Sequence, residues 1–288
     1  RFCETTMVYR DEQSGELSGL TRVLSITQDD AHVFCRETQI KQEVFAIWDI
    51  IDTFYKTFGF KDLRIRFSRH DPEHFEKYLG TKDVWKKAED SIRALLKQRG
   101  VEDYIDGRGE AAMYGPKIDF MAHDSLGRTL QVATIQLDFN MPKNFGLVCT
   151  NEQGEKETVV MVHCAIMGSI ERFVATLLEH LAGNFPVWLA PVQVALVPVS
   201  TKHMPACRKL QKEFVTVGVR VELADPADTV GKRIRTYEKL KVPYMLVIGD
   251  QEAKAPKLQV RVRGKQKLLV TTRKLFLARL EKEIAKRK

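Results

Sequence analysis

The sequence has 288 residues, of which 44% are hydrophobic and 29% charged, with a net charge of +8. That length suits one large or two ordinary domains, and the balance is that of a soluble globular chain rather than a disordered or fibrous one. Its apolar runs are too short for a transmembrane helix, so no membrane role is expected. Charge is unevenly spread: residues 187–288 hold 23 Lys and Arg against 9 Asp and Glu, a balance of +14, while residues 1–186 stand at −6. A polyanion partner is expected for the basic third. The chain begins Arg1-Phe2-Cys3, with neither initiator Met nor signal peptide, and reads as part of something longer. Its cysteines, Cys3, Cys35, Cys149, Cys164 and Cys207, are odd in number and form no CxxC pair. That pattern argues against a disulfide framework and suits a reducing cytoplasm.

In chain order, residues 4–10 alternate as a strand, a polar Gly-bearing loop spans Asp11 to Gly19, and a second strand is expected from Leu20 to Ile26. Val44, Ile47, Ile51, Tyr55 and Phe58 form a 3.6-period stripe, predicting a helix over 38–58 that stops at Gly59. Leu63 to Phe67 reads as a strand. Thr81 is the expected N-cap of a helix carrying Val84, Trp85, Ala88, Ile92 and Leu95 and ending at Gly100. Residues 116–139 read as two strands joined at Asp124-Ser125-Leu126-Gly127, and Val159–Ala165 as a buried strand. Gly168 is expected to open a helix running to Leu181. Antiparallel strands with inserted helices make an α+β domain.

The tail alternates differently. Strands are expected at Val192–Val199, Val219–Leu223 and Tyr244–Ile248, a hairpin at 257–270, and helices at Pro205–Val217, Thr229–Leu240 and 272–286. This is an α/β pattern, so the domains are expected to be 1–185 and 186–288, divided where Pro186 and Pro191 bracket Trp188.

Three polar clusters interrupt the first domain. Arg10, Glu12 and Arg22 flank a Ser/Gly loop, an arrangement suited to phosphate because arginine presents a planar fork and glycine permits close approach. Thr27-Gln28-Asp29-Asp30-Ala31-His32 places polar residues between apolar β-formers; read structurally, it is a turn with an Asx bond. His163 lies inside an apolar strand, as core histidines often do. It is followed by Gly168-Ser169 at a helix start with Arg172 in the first turns, a phosphate-binding pattern. No Walker loop, dinucleotide fingerprint or Ser/His/Asp signature occurs.

Taken together, these clusters resemble the threonyl-tRNA synthetase family of class II aminoacyl-tRNA synthetases. The first resembles class II motif 2 and the third motif 3, with its Gly-Ser-x-Glu-Arg-Phe core. Gln28–Phe34, Glu110–Lys117, Gln131–Phe139, Trp188–Val194 and Val242–Val247 are similar to further family stretches, so the resemblance covers essentially the whole chain in order. It implies an α+β class II antiparallel sheet with flanking helices, carrying motifs 2 and 3, followed by an α/β anticodon-binding domain.

The resemblance also implies an activity: ATP-dependent activation of L-threonine to threonyl-adenylate and transfer to tRNA(Thr), by a homodimer in the cytoplasm. Arg10 is then expected at the α-phosphate and threonine carboxylate, and Arg172 at the γ-phosphate. Glu12, Arg22, Ile26, Gln131, Thr134 and Ser169 line the nucleotide, which arrives with Mg2+. Gln28, Asp30, Tyr114 and Gln136 surround threonine. His32 and His163 match two of three zinc ligands, the third, a cysteine, being expected upstream of residue 1 with motif 1. Cys164 is no substitute, because adjacent strand residues face opposite sides. In the tail, Glu252 and Arg261 match anticodon contacts, and Lys232, Arg233 and Arg235 are read as RNA phosphate contacts.

Four departures stand against the pattern: Leu24 for an Arg, Ile26 for an adenine-stacking aromatic, Ala133 for a Gly beside the nucleotide, and Ala227 for an Asn. They motivate an alternative, a synthetase-like tRNA-binding or regulatory protein with a weakened ATP site. Seryl and prolyl relatives share the class II motifs, but the Gln-Asp-Asp-Ala-His stretch favours threonine.

Overall fold

The computed structural model describes residues 1–60, 63–123 and 127–287. Two compact units emerge, Arg1–His180 and Leu181–Lys288.

In the first unit, β1 (Phe2–Tyr9) pairs antiparallel with β2 (Ser25–Cys35). The second strand therefore starts later than Leu20. Residues before it are taken up by a tight turn in which Thr21 N and Arg22 N both donate to the Ser18 carbonyl, at 3.0 and 3.2 Å. β2 then runs through Gln28–His32, which form no turn. Asp29 makes no local Asx bond; its Oδ2 accepts from Ile166 N and Met167 N at 2.9 Å each.

Helix α1 (Ile40–Thr57) buries Val44, Ile47, Trp48, Ile51 and Tyr55, and α2 (Lys82–Gln98) buries Trp85, Ala88, Ile92 and Leu95. Thr81 caps α2 by accepting from Val84 N. β3 (Arg64–Arg69) pairs with β4 (Ile105–Arg108) and β5 (Lys117–His123), which pairs with β6 (Thr129–Asp138). In the expected Asp124–Gly127 connection, residues 124–126 lie outside the described residues. A short α3 (Met141–Asn144) and a hairpin of β7 (Val148–Thr150) and β8 (Lys156–Thr158) precede β9 (Val160–Ala165). Helix α4 covers Ile170–His180. It starts after Gly168, whose φ of +67° breaks the helical path.

The resulting seven-stranded sheet has the order β1-β2-β9-β6-β5-β3-β4. Successive strand residues point to opposite faces. Ile118, Phe120, Ile135, Val162 and Cys164 take one face, where α1 packs against β6 and β9 and Trp48 meets Phe120 edge-on at 5.0 Å. The alternate residues are polar and line a cleft.

The second unit is a five-stranded sheet ordered β11-β10-β12-β13-β14. β10 (Val194–Pro198) is parallel to β11 (Val221–Leu223) and β12 (Tyr244–Ile248); β13 (Lys257–Val262) and β14 (Leu269–Thr272) add antiparallel strands. Both faces are covered. Cys207, Leu210 and Phe214 of α5 (Met204–Thr216) and Phe276 and Leu280 of α8 (Arg273–Ala285) pack with Val194 and Leu196. Tyr237 of α6 (Val230–Lys239) packs with Ala195 and Val197. A short α7 (Asp250–Lys254) follows β12. A β10 buried at every position explains why it reads as an apolar run without alternation.

Candidate active site

A cleft of about 1060 Å³ opens on the polar face of the seven-stranded sheet. Its lining brings together Arg10, Glu12, Arg22, Ile26, Gln28, Asp30, His32, Tyr114, Gln131, Thr134, Gln136, His163, Ser169 and Arg172. Strand pairing does this work. His32 lies opposite His163, which lies opposite Gln136, which lies opposite Lys117, giving one polar row across four strands. The next row carries Thr134, Asp119 and Arg66.

At one end, the loop between β1 and β2 is tied to itself. The Arg22 guanidinium donates to Glu12 Oε2 at 2.8 and 3.0 Å and pairs with Glu16 at 3.0 Å, which holds the Glu12 carboxyl below its ordinary range. Arg10 and Arg172 differ: among the described residues, no carboxylate forms an ion pair with either. Burial and the nearby Arg10 charge lower the Arg172 guanidinium below its ordinary pKa. Two cations without a direct ion-pair partner in one cleft make a site that gains by taking up an anion. Ser169 Oγ accepts from Arg172 N at 3.3 Å and donates to Glu171 Oε2, while both Glu171 oxygens accept from Thr27 N at 3.0 Å. Glu171 thereby locks the start of α4 to β2.

At the other end, the His32 and His163 rings meet edge-on with centroids 4.7 Å apart. His163 Nε2 lies 3.1 Å from Oδ2 of fully buried Asp138, and the Tyr114 ring lies 4.8 Å away. Asp138 Oδ1 also accepts from Asn140 N and Met141 N. Tyr114 donates to Gln136 Oε1 at 2.7 Å; burial, then the Asp138 and Asp30 carboxylates, raise its pKa. The backbone under Tyr114 is tight. A Cβ on Gly115 would stand 1.9 Å from the Leu137 carbonyl oxygen, so only glycine fits.

Two facing imidazoles fit two of the three protein donors that an open zinc site uses. Among the described residues, no group of three His, Cys, Asp or Glu is arranged to hold a metal. Cys164 is turned to the covered face beside Ile135, and burial pushes its thiol up to about 12.

Sequence reasoning missed the acids beneath the cleft. Asp119, Asp138 and Glu171 each anchor a cleft residue, and each sits in a strand or helix start where it reads as an ordinary polar residue. Tyr55, read as part of an apolar stripe, reaches the Val132 and Ile166 carbonyls with its hydroxyl at 2.8 and 2.7 Å.

In the second unit, Lys232, Arg235 and Arg261 are exposed. Lys232 pairs with Asp228 at 2.7 Å. Glu252 caps its own helix, accepting from Gly249 N at 3.0 Å. Arg233 does not belong with the surface cations. It is 5% exposed and donates from Nη1 to the Pro198 carbonyl, because its position on α6 faces the sheet.

Residues 1–181 match the tRNA synthetase class II core domain (G, H, P, S and T), and residues 193–286 match an anticodon binding domain. The fold and cleft therefore define a class II aminoacyl-tRNA synthetase core joined to an anticodon-binding domain. Curated proteins named threonine--tRNA ligase are 45% identical over all of this chain in Rubrobacter xylanophilus and 44% in Thermotoga neapolitana. The chain spans 45% and 44% of their lengths. A crystal structure described as the RNA binding domain of threonyl-tRNA synthetase from Cryptosporidium parvum Iowa II superposes with a TM-score of 0.88 at 36% identity, covering 98% of this chain and 70% of that one. A putative threonyl-tRNA synthetase from Aeropyrum pernix gives 0.81 at 28% identity, covering 99% and 69%. The chain belongs to the threonyl-tRNA synthetase family.

Proposed function

We propose that the cleft activates L-threonine with ATP and that the whole protein is a threonine--tRNA ligase. The observation that carries this reading is the pair of cations in no direct ion pair, Arg10 and Arg172, in one cleft with the His32–His163 pair. In the reaction, a threonine carboxylate oxygen forms a bond to the α-phosphorus, and the bond from that phosphorus to the oxygen bridging to the β-phosphate breaks. Pyrophosphate leaves, and Mg2+ accompanying ATP would neutralise part of its charge. Negative charge grows on the non-bridging oxygens, where a preorganised guanidinium stabilises it without reorganisation. Arg10 takes that role and orients the carboxylate, and Arg172 holds the γ-phosphate. Glu12 accepts from the adenine amino group, and Arg22, Ile26, Gln131, Thr134 and Ser169 form the nucleotide walls. Gln28, Asp30, Tyr114 and Gln136 surround the amino acid.

His32 and His163 would hold zinc together with a third protein donor. Zinc held there would supply Lewis-acid chemistry to the bound amino acid, and valine, which has no hydroxyl, would offer it one ligand fewer. Exposed Lys232 and Arg235 meet RNA phosphates, and Glu252 and Arg261 the anticodon of tRNA(Thr); the +14 balance of residues 187–288 supports that partner. A homodimer belongs to the same reading through the family resemblance. Unpaired cysteines suit the cytoplasm. Among the described residues, no helix is long and apolar enough to cross a membrane.

Threonine-dependent ATP–pyrophosphate exchange by the whole protein, with valine and serine as controls, tests the reading. Absence of exchange with zinc present would sink it, and tRNA binding without exchange would point to the regulatory alternative.

A further inference from the structure

Beneath the nucleotide side of the cleft lies one fully buried carboxylate, Asp119. Its Oδ2 accepts from Ser68 Oγ at 2.6 Å and from Arg66 Nη2 and Nε at 3.0 and 3.3 Å, with Lys117 Nζ at 3.4 Å. Its Oδ1 accepts from Gln131 Nε2 and from Thr134 Oγ1, each at 2.9 Å. Arg66 Nη2 also donates to Gln131 Oε1 at 3.0 Å. No water is needed to satisfy this acid, and its two oxygens have separate duties: Oδ2 takes Ser68 and the cations Arg66 and Lys117, Oδ1 the neutral donors of Gln131 and Thr134.

Gln131 and Thr134 are three apart, so regular alternation would put them on opposite faces. A register shift in the β5–β6 pairing, where Phe120 faces Ala133 but Met121 faces Gln131, skips Val132 and returns Gln131 to the face of Thr134. Both then reach the same oxygen.

We propose that Asp119 is a positioning residue that sets the hydrogen-bond polarity of the nucleotide wall. The inference rests on the ATP reading of the cleft. An ionised carboxylate can only accept. It therefore draws the Thr134 proton inward and leaves the lone pairs of that hydroxyl for the cleft. It also fixes the Gln131 amide with nitrogen toward Asp119 and oxygen toward Arg66, so that the amide's second N–H stays uncommitted. The wall thus offers an N–H donor from Gln131 beside an acceptor from Thr134, a polarity suited to a phosphate oxygen and to a hydroxyl or cation that accompanies it. Asn at 119 has nearly the same shape but replaces one oxygen with an NH2 group; Arg66 and Lys117 can only donate, so that group must turn toward Thr134 and Gln131 and reverse their hydrogen bonds.

The test is Asp119→Asn in the whole protein, with KM for ATP and for threonine read separately by pyrophosphate exchange, and a cycle with Thr134→Val. Because hydrogen bonds to charged groups are the strong ones, KM for ATP is expected to rise about tenfold or more, with KM for threonine within about twofold. The Thr134→Val effect is expected to be largely absent in the Asp119→Asn background, since neighbours sharing a network are non-additive. Equal rises in both KM values, or additive effects, would overturn the proposal, because general loosening of the sheet predicts those. If Asp119→Asn does not fold, Arg66→Gln carries the same test: an ATP-selective rise supports the proposal and its absence overturns it. Should the wild type show no exchange, the threonine-ligase reading fails by itself, and direct ATP binding to wild type and Asp119→Asn still decides this one.

Discussion

The imidazoles of His32 and His163 face each other across the β2–β9 pairing, with ring centroids 4.7 Å apart and planes at 73°. Two imidazoles brought together from distant parts of the chain, one of them oriented by a buried carboxylate, lie together in the cleft. His163→Ala is expected to release zinc from the dialysed whole protein. Asp138→Asn is expected to weaken zinc affinity about 10- to 100-fold, because a carboxylate behind a metal-bound histidine fixes its orientation. Metal analysis after dialysis checks both; full zinc content in His163→Ala would refute the assignment.

Arg172 makes a second prediction. Its lowered pKa, from burial and from Arg10, marks a cation whose folded environment is unfavourable until an anion arrives. Arg172→Leu is expected to leave the ligand-free melting temperature equal or higher. In wild type, ATP at one hundred times its Kd should add about 2.7 kcal/mol of stability, and the variant should gain almost none. Thermal melts with and without Mg-ATP measure this, and a destabilised ligand-free variant would count against it.

The buried thiols set an alkaline limit. Burial pushes Cys35 and Cys207 up to about 11 and Cys164 to about 12, from 9.0. A raised folded pKa means that the folded state keeps protons the unfolded chain gives up. The associated stability is complete below pH 9 and is lost as pH climbs through 11 to 12. The denaturant midpoint should accordingly fall between pH 9 and 11. At pH 8 a thiol reagent should label exposed Cys3 quickly and Cys35, Cys164 and Cys207 only on unfolding. Rapid native labelling of Cys164 would contradict the fold.

In the second unit, neighbouring cations on α6 are expected to behave oppositely. Lys232→Ala and Arg235→Ala should each reduce the slope of log affinity for tRNA against log salt by about one. Arg233→Ala should leave that slope unchanged and cost about 2 kcal/mol of stability, because the Pro198 carbonyl loses its buried partner. Filter binding over a salt series and urea unfolding separate the two.

Much of this molecule can be read from the chain alone. Helices α1, α2, α5, α6 and α8 announce themselves by apolar spacing, and β10 and β12 by uninterrupted apolar runs, because burial of one face or two leaves a local mark in sequence. The residues lining the cleft were also legible, through the order of their motifs. The start of β2 was not: Leu20 has the composition of a strand, but its neighbours' backbone hydrogens are spent on the Ser18 carbonyl. Nor was the burial of Arg233, which depends on which side of α6 meets a sheet built from residues far away.

What the sequence determined by itself is which chemical groups are present, and in which elements: the arginines, the histidines, the basic tail. What only the tertiary structure decided is which of them meet. His32 and His163 become neighbours through the pairing of β2 with β9, and Gln131 joins Thr134 through a one-residue slip in β6. Asp119 gains five side-chain partners drawn from three strands. Periodicity records how a residue faces its own element, whereas register across a sheet depends on hydrogen bonds between strands that the chain brings together only on folding.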